Sequence, residues 1–96
     1  MSEQIEPQQD RTFWVDVRVT LRPAVLDTQG QAILRGLHAL GFSAIEEAHA
    51  GKSFRLLIRA PGADEALETA RRACDRLLSN PVIETFSLAL ADEATP

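Results

Sequence analysis

Val25-Leu26-Asp27-Thr28-Gln29-Gly30-Gln31-Ala32-Ile33 is where this chain changes period. Upstream, Phe13, Val15, Val17, Val19 and Leu21 alternate with Asp16, Arg18 and Thr20, as in a strand with one buried face. Downstream, Ile33, Leu37 and Leu40 recur at three- and four-residue intervals, as in a helix with one apolar face. Pro23 ends the strand because it has no N–H to donate. Asp27 is placed to accept a bond from an unpaired N–H of the first helical turn, which predicts a helix from Thr28 to about Leu40. Gly41 supplies the left-handed residue common just past a helix end. Gly30 stands inside the first turn, where glycine costs up to about 1 kcal/mol relative to alanine, so close packing or docking is expected there. The helix face is expected to pack on the sheet.

The remaining pattern carries on in the same two periods. Phe42 to His49 reads as a weaker strand, and Ala50-Gly51-Lys52 as a tight connection into a strand over Ser53 to Ala60. Phe54, Leu56 and Ile58 then face the core, with Arg55 and Arg59 outside. Pro61-Gly62 breaks that strand, and Asp64 is placed to cap a second helix reaching about Ser79, with Leu67, Ala70, Cys74 and Leu77 on one stripe. Asn80-Pro81 stops the helix, and Val82 to Leu90 forms the last strand. Glu84 shares a face with Phe86, Leu88 and Leu90 under simple alternation, which implies a bulge, a partner or an edge. The fold class is therefore α+β, a two-layer βαββαβ arrangement of ferredoxin-like outline, with a four-stranded antiparallel sheet and both helices on one face. Residues 13–90 make a single domain, between an N-terminal extension (1–12) and a C-terminal tail (91–96) expected to be mobile. Trp14 and Leu57 fall on the uncovered sheet face, where a cluster of apolar residues suggests self-association.

At 96 residues the chain is short for two independent cores. Fourteen acidic against ten basic residues give a net charge of −4, which opposes the phosphate neutralisation behind most nucleic-acid affinity. DNA and RNA are not expected partners. No apolar run approaches the roughly 20 residues that span a bilayer, and the N-terminus lacks the basic and apolar regions of a signal peptide. A cytoplasmic location without membrane contact is expected.

The chemically capable residues form no constellation. His38 and His49 stand eleven apart with no HxH, HxxxH or CxxC around them, so no metal spacing exists. Cys74 has alanine and leucine beside it on the helix stripe, which bury a thiol and raise its pKa. Glu46 and Glu47 are adjacent and point to opposite faces of a strand, so they cannot work as an acid/base pair. Gly51-Lys52 could present an N–H and an ammonium to a phosphate but lacks a Gly-rich loop leading into a helix. No catalytic residue, metal or cofactor is expected in this chain.

Three motifs carry a resemblance to a known family. Leu21, Arg22, Pro23, Val25, Leu26, Asp27, Gln29 and Gly30 match a Leu-Lys-Pro-x-Val-Leu-Asp-Pro-Gln-Gly core, with Thr28 for its second proline. His49-Ala50-Gly51-Lys52 stands where the family carries Arg-x-Gly-Lys. Leu77 to Glu84 match Leu-Leu-Ala-Asn-Pro-Val-Ile-Glu, with Ser79 for alanine and Thr85-Phe86 for the following Asp-Tyr. In this order and spacing they resemble the PurS family, the small subunits of phosphoribosylformylglycinamidine (FGAM) synthase.

That resemblance implies a non-catalytic subunit of a glutamine amidotransferase complex in purine biosynthesis. A glutaminase subunit releases ammonia from glutamine. A synthetase subunit, expected to hold ATP and Mg, activates the amide oxygen of formylglycinamide ribonucleotide, and ammonia displaces that oxygen. The small subunit is implied to form a homodimer or higher homo-oligomer that holds the two enzymes together. Arg22, Pro23, Val25, Leu26, Asp27, Gln29, Gly30, Gly51 and Lys52 are the implied docking residues. Asn80, Pro81, Val82, Ile83 and Glu84 are implied to dock or to support the dimer, as are Trp14 and Leu57. The competing reading is a free-standing dimeric regulatory domain that senses a small molecule, since such domains share the βαββαβ outline.

Overall fold

The chain builds one antiparallel sheet around its most buried strand. The computed structural model describes residues 10–91. Strand β1 (Arg11–Leu21) leads into helix α1 (Thr28–Ala39), then β2 (Gly51–Ala60), helix α2 (Ala63–Ala73) and β3 (Glu84–Ala91). Residues Cys74–Leu78 continue α2 as a single wider π-helical turn. β1 lies in the middle, paired with β2 from Arg11↔Ala60 to Thr20↔Gly51 and with β3 from Trp14↔Ala91 to Leu21↔Glu84. Because direct antiparallel partners share a face, this register sets Val15, Val17 and Val19 beside Leu56, Phe54, Leu88 and Phe86.

The core sits between that face and α2. Val15, Ala60, Ala66 and Ala70 form one buried cluster, and Val17, Val19 and Cys74 the next, with Leu56 and Leu88 packed against both. Small residues at positions 66, 70 and 74 let the helix backbone approach the sheet closely. At Cys74 the wider turn changes which side chains point inward. Leu78 packs against the second cluster, whereas Leu77 is 83% exposed. The expectation that Leu77 continues the buried stripe fails because a π turn rotates less per residue than an α turn. Ser79 closes the turn, giving both its N–H and its hydroxyl to the Cys74 carbonyl at 3.0 Å.

The sheet has three strands, not four. Residues 42–49 form no ladder, so the hairpin expected around Ala50-Gly51-Lys52 does not exist, and Gly51 instead begins β2 opposite Thr20. Local bonds compete for the backbone here: Ile45 N–H donates to the Phe42 carbonyl at 3.2 Å, and His38 Nε2 lies 2.6 Å from the Ile45 carbonyl. A carbonyl can only accept, so His38 carries its proton on Nε2. The second tie holds the return segment to α1.

The helices do not share a face of the sheet either. Helix-to-sheet packing comes from α2, whereas Gly30 is the one buried residue of α1, and Ile33 and Leu40 are 44% and 75% exposed. The radius of gyration is 18.8 Å, against about 12 Å for a compact chain of this length. Helix α1 and its return segment thus form a lobe that stands clear of the sheet.

Smaller corrections follow from the element ends. Asp64 lies within the first turn of α2, whose N-cap is Gly62 with no side-chain cap bond. Arg11 and Thr12, expected in the mobile extension, belong to β1, and Ala91 belongs to β3. The expected mobility of the termini otherwise falls on residues 1–9 and 92–96, outside the described residues.

The π turn makes neighbouring leucines unequal. Leu78→Ala should lower the urea unfolding free energy by about 2 kcal/mol. Leu77→Ser should change it by less than about 0.5 kcal/mol. Equal losses would mean a regular α-helical end.

A candidate docking site at one end of the sheet

The three sequence motifs, up to about 60 positions apart, meet at a single end of the sheet. The register sets Leu21 opposite Glu84, Thr20 opposite Gly51 and Val19 opposite Lys52. Lys52 Nζ lies 3.5 Å from Glu84 Oε2 across the intervening strand β1. Glu84 Oε1 accepts the Asn80 N–H at 2.7 Å. The acidic residue that breaks the alternation of β3 therefore has both a charge partner and a backbone partner, on an edge strand.

The loop after the π turn is tightly bonded. Asn80 Oδ1 accepts the Val82 N–H at 3.0 Å, and the Asn80 carbonyl accepts from Ile83 and Glu84 at 3.1 and 2.7 Å. Arg22 straps this loop to the end of β1. Its guanidinium donates from Nε and Nη2 to the Pro81 carbonyl at 3.1 and 2.8 Å, and its N–H donates to the Ile83 carbonyl at 2.8 Å. The strap leaves Val82 79% exposed and Ile83 39% exposed, an apolar tip on a rigid base.

Asp27 ties the lobe to the sheet. Its Oδ1 accepts the Gly30 N–H at 2.7 Å, the N-cap bond expected from sequence. Its Oδ2 accepts the Ala50 N–H at 2.8 Å, a bond across 23 positions. Gly30 is needed for this closure: a Cβ there would collide with the Ala48 carbonyl oxygen and lie 2.6 Å from Asp27 Oδ2. His49 Nδ1 stands 3.8 Å from the same oxygen, and its Nε2 lies 2.9 Å from Glu47 Oε1. The Gly30 and Ala50 amides, with a lesser contribution from His49, hold the Asp27 carboxyl below the usual range against some desolvation. At the far end of α1, Gly41 takes φ +98°, as expected of a residue just past a helix end.

A shallow groove of about 710 Å³ runs along this joint, lined by Arg22, Pro23, Val25, Leu26 and Asp27 from one side and Ala48 to Ala50 from the other. Leu26 is 66% exposed beside it. Gln29 is exposed on the first turn of α1, and Trp14 and Leu57 lie apart from this site, opposite each other on the uncovered face of the sheet. What alternation could not reveal was the joint itself, because the Ala50 amide gives no sign in sequence of its long-range acceptor.

Cys74 is buried, and desolvation, with Asp75 nearby, pushes its thiol pKa up, away from the thiolate that attacks substrates. No group of three or more metal-binding side chains occurs among the described residues. No helix is long and apolar enough to cross a membrane.

Two measurements test the Asp27 joint. Gly30→Ala normally favours a helix, but here it should destabilise the fold in urea, because the Cβ displaces the segment Asp27 holds. Stability gained by the variant would mean the segment yields freely. The lowered carboxyl of Asp27 contributes stability that is fully present above the ordinary Asp range, near about pH 4, and is lost as pH falls through its lowered value. The stability gap between the native chain and Asp27→Asn should thus be constant at neutral pH and narrow on acidification. A gap that widens below about pH 4 would contradict the sign.

Comparison with known proteins gives one answer. The family model described as PurS, phosphoribosylformylglycinamidine (FGAM) synthase, matches residues 14–92. The phosphoribosylformylglycinamidine synthase subunit PurS of Synechocystis is 35% identical over 95 residues, covering 96% of this chain and 95% of that one. The crystal structure of the purS subunit of Thermotoga maritima superposes with a TM-score of 0.81 at 29% identity, over 86% of this chain and 95% of its own. A chain in the structure of PurLQS from Thermotoga maritima gives 0.79 at 30% identity, over 84% and 99%. With a family match over most of its length and the three motifs gathered at one end of its sheet, the chain belongs to the PurS family of FGAM synthase.

Proposed function

We propose that this chain is the non-catalytic small subunit of FGAM synthase in purine biosynthesis, that it pairs with a second copy, and that the pair bridges the glutaminase and synthetase subunits. The observation that carries the pairing is the unburied apolar face of α1. A helix of 12 residues is marginal in water by itself and draws its stability from burying such a face. Ile33, Leu40 and Phe42 are 44%, 75% and 54% exposed, and the chain's own sheet does not cover them. A second copy, offering the same uncovered lobe, covers both lobes at once.

The bridging rests on the convergence of the three motifs. Arg22, Lys52 and Glu84 brace the sheet end, Asp27 and Gly30 fix the lobe, and Leu26, Val82 and Ile83 are presented to solvent. Rigid apolar anchors on a hydrogen-bonded base are what a docking surface requires. In this reading ammonia released by the glutaminase subunit passes to the synthetase subunit, which holds ATP and Mg and activates the amide oxygen. The small subunit contributes geometry to both and chemistry to neither, in the cytoplasm where the substrates are made. The structure of PurLQS from Thermotoga maritima, in which a similar chain occurs, supports a complex of this kind.

The test is FGAM synthesis by the glutaminase and synthetase subunits of the same organism, with and without the chain, using glutamine or free ammonia. Glutamine-dependent activity should require the chain while ammonia-dependent activity does not; a glutamine-dependent rate indifferent to the chain would refute the reading. Leu40→Asp with Ile33→Asp should shift the native mass to that of one chain in light scattering, and a mass unchanged by both would place the contact elsewhere.

A further inference from the structure

The uncovered sheet face carries a charge opposite to that of the chain. On it β1 and β2 set Trp14 against Leu57, Asp16 against Arg55, and Arg18 against Ser53, with Arg59 next to the Trp14–Leu57 pair. Arg55 is held by Asp16, with Nε to Oδ1 at 2.9 Å and Nη2 to Oδ2 at 3.3 Å. Arg18 and Arg59 are exposed and have no ionic partner among the described residues. β3 adds only small uncharged side chains, from Thr85 to Ala91 at alternate positions. The face is thus net positive in a chain of net charge −4.

Two copies placed face to face here would bring two net-positive surfaces together, which opposes self-association through this surface. A half-buried tryptophan, a leucine that is 54% exposed and flanking arginines have the composition of protein-binding hot spots. The chain's overall negative charge argues against a nucleic acid as the occupant. We propose that this outer face docks an acidic surface of one of the enzyme subunits, while self-association uses the α1 lobe. The proposal rests on the coupling-subunit reading and adds to it the face and the charge of the partner. Arg18 and Arg59 steer the approach through long-range attraction, Asp16 fixes Arg55, and Trp14 and Leu57 supply the apolar contact.

The test measures binding of the full chain to a mixture of glutaminase and synthetase subunits of the same organism at low and high salt. The variant Arg18→Glu with Arg59→Glu is compared with the native chain and with the milder Arg18→Ala, Arg59→Ala pair. The proposal expects the Glu pair to keep its native mass and circular dichroism but to bind at least about tenfold more weakly. The Ala pair should fall between, and the native chain should lose affinity with salt more steeply than either. Unchanged affinity and salt slope in the variants, with the native chain binding, would overturn the proposal and leave the functional reading intact. Loss of self-association in the Glu pair would overturn it by assigning the face to a second copy. Failure of the native chain to bind either subunit would remove the functional reading and this proposal together.

Discussion

The Asp27 carboxylate accepts one bond from Gly30, three residues on, and another from Ala50, 23 residues on. Much of the chain's architecture depends on that pair. The first bond starts α1; the second closes the excursion that contains α1 and returns the chain to β2. With Gly30 pressed against the Ala48 carbonyl, the base of the lobe has no room to swing. The helix is therefore held where its own sheet does not reach it, and an apolar face that would be core in a self-contained domain becomes surface. The proposed dependence on a second copy follows from the joint.

A fold arranged in this way separates two kinds of surface. One comprises the α1 face, apolar and not covered by the chain's own sheet, suited to a like partner. The other comprises the braced sheet end and the arginine-bearing outer face, where side chains are fixed by Arg22–Pro81, Lys52–Glu84 and Arg55–Asp16 contacts. Exposed pairs of this type add little to stability by themselves. Their effect is to hold geometry, and in the proposed reading that geometry is what the chain contributes to its complex.

Much of this was legible in sequence. The alternation of β1, the Asp27 cap, the left-handed Gly41, the buried Cys74 and the placement of Trp14 and Leu57 outside all follow from local periodicity and backbone preference. The fourth strand was not, and the reason is physical. Residues 42–49 have strand-like alternation, but whether an extended segment finds a ladder partner depends on long-range closure, and here Asp27, Gly30 and His38 claim the backbone first. The packing of α1 was misread for the same reason: periodicity shows that a face needs covering without showing which molecule covers it. Leu77 was misplaced because a π turn has no distinct apolar signature. Of the candidate site, the motif residues were identifiable, whereas their convergence depended on register and on the Arg22 strap.

The most direct test of a lobe completed by a second copy is amide hydrogen exchange across α1 as a function of protein concentration. If a partner chain covers the helix, protection of residues 31–39 should rise with concentration in step with dimer mass, while the amides of β1 stay protected throughout. Protection of α1 that is equally strong at dilutions where the chain is a monomer would show that the lobe is complete in one chain, and the account would be wrong.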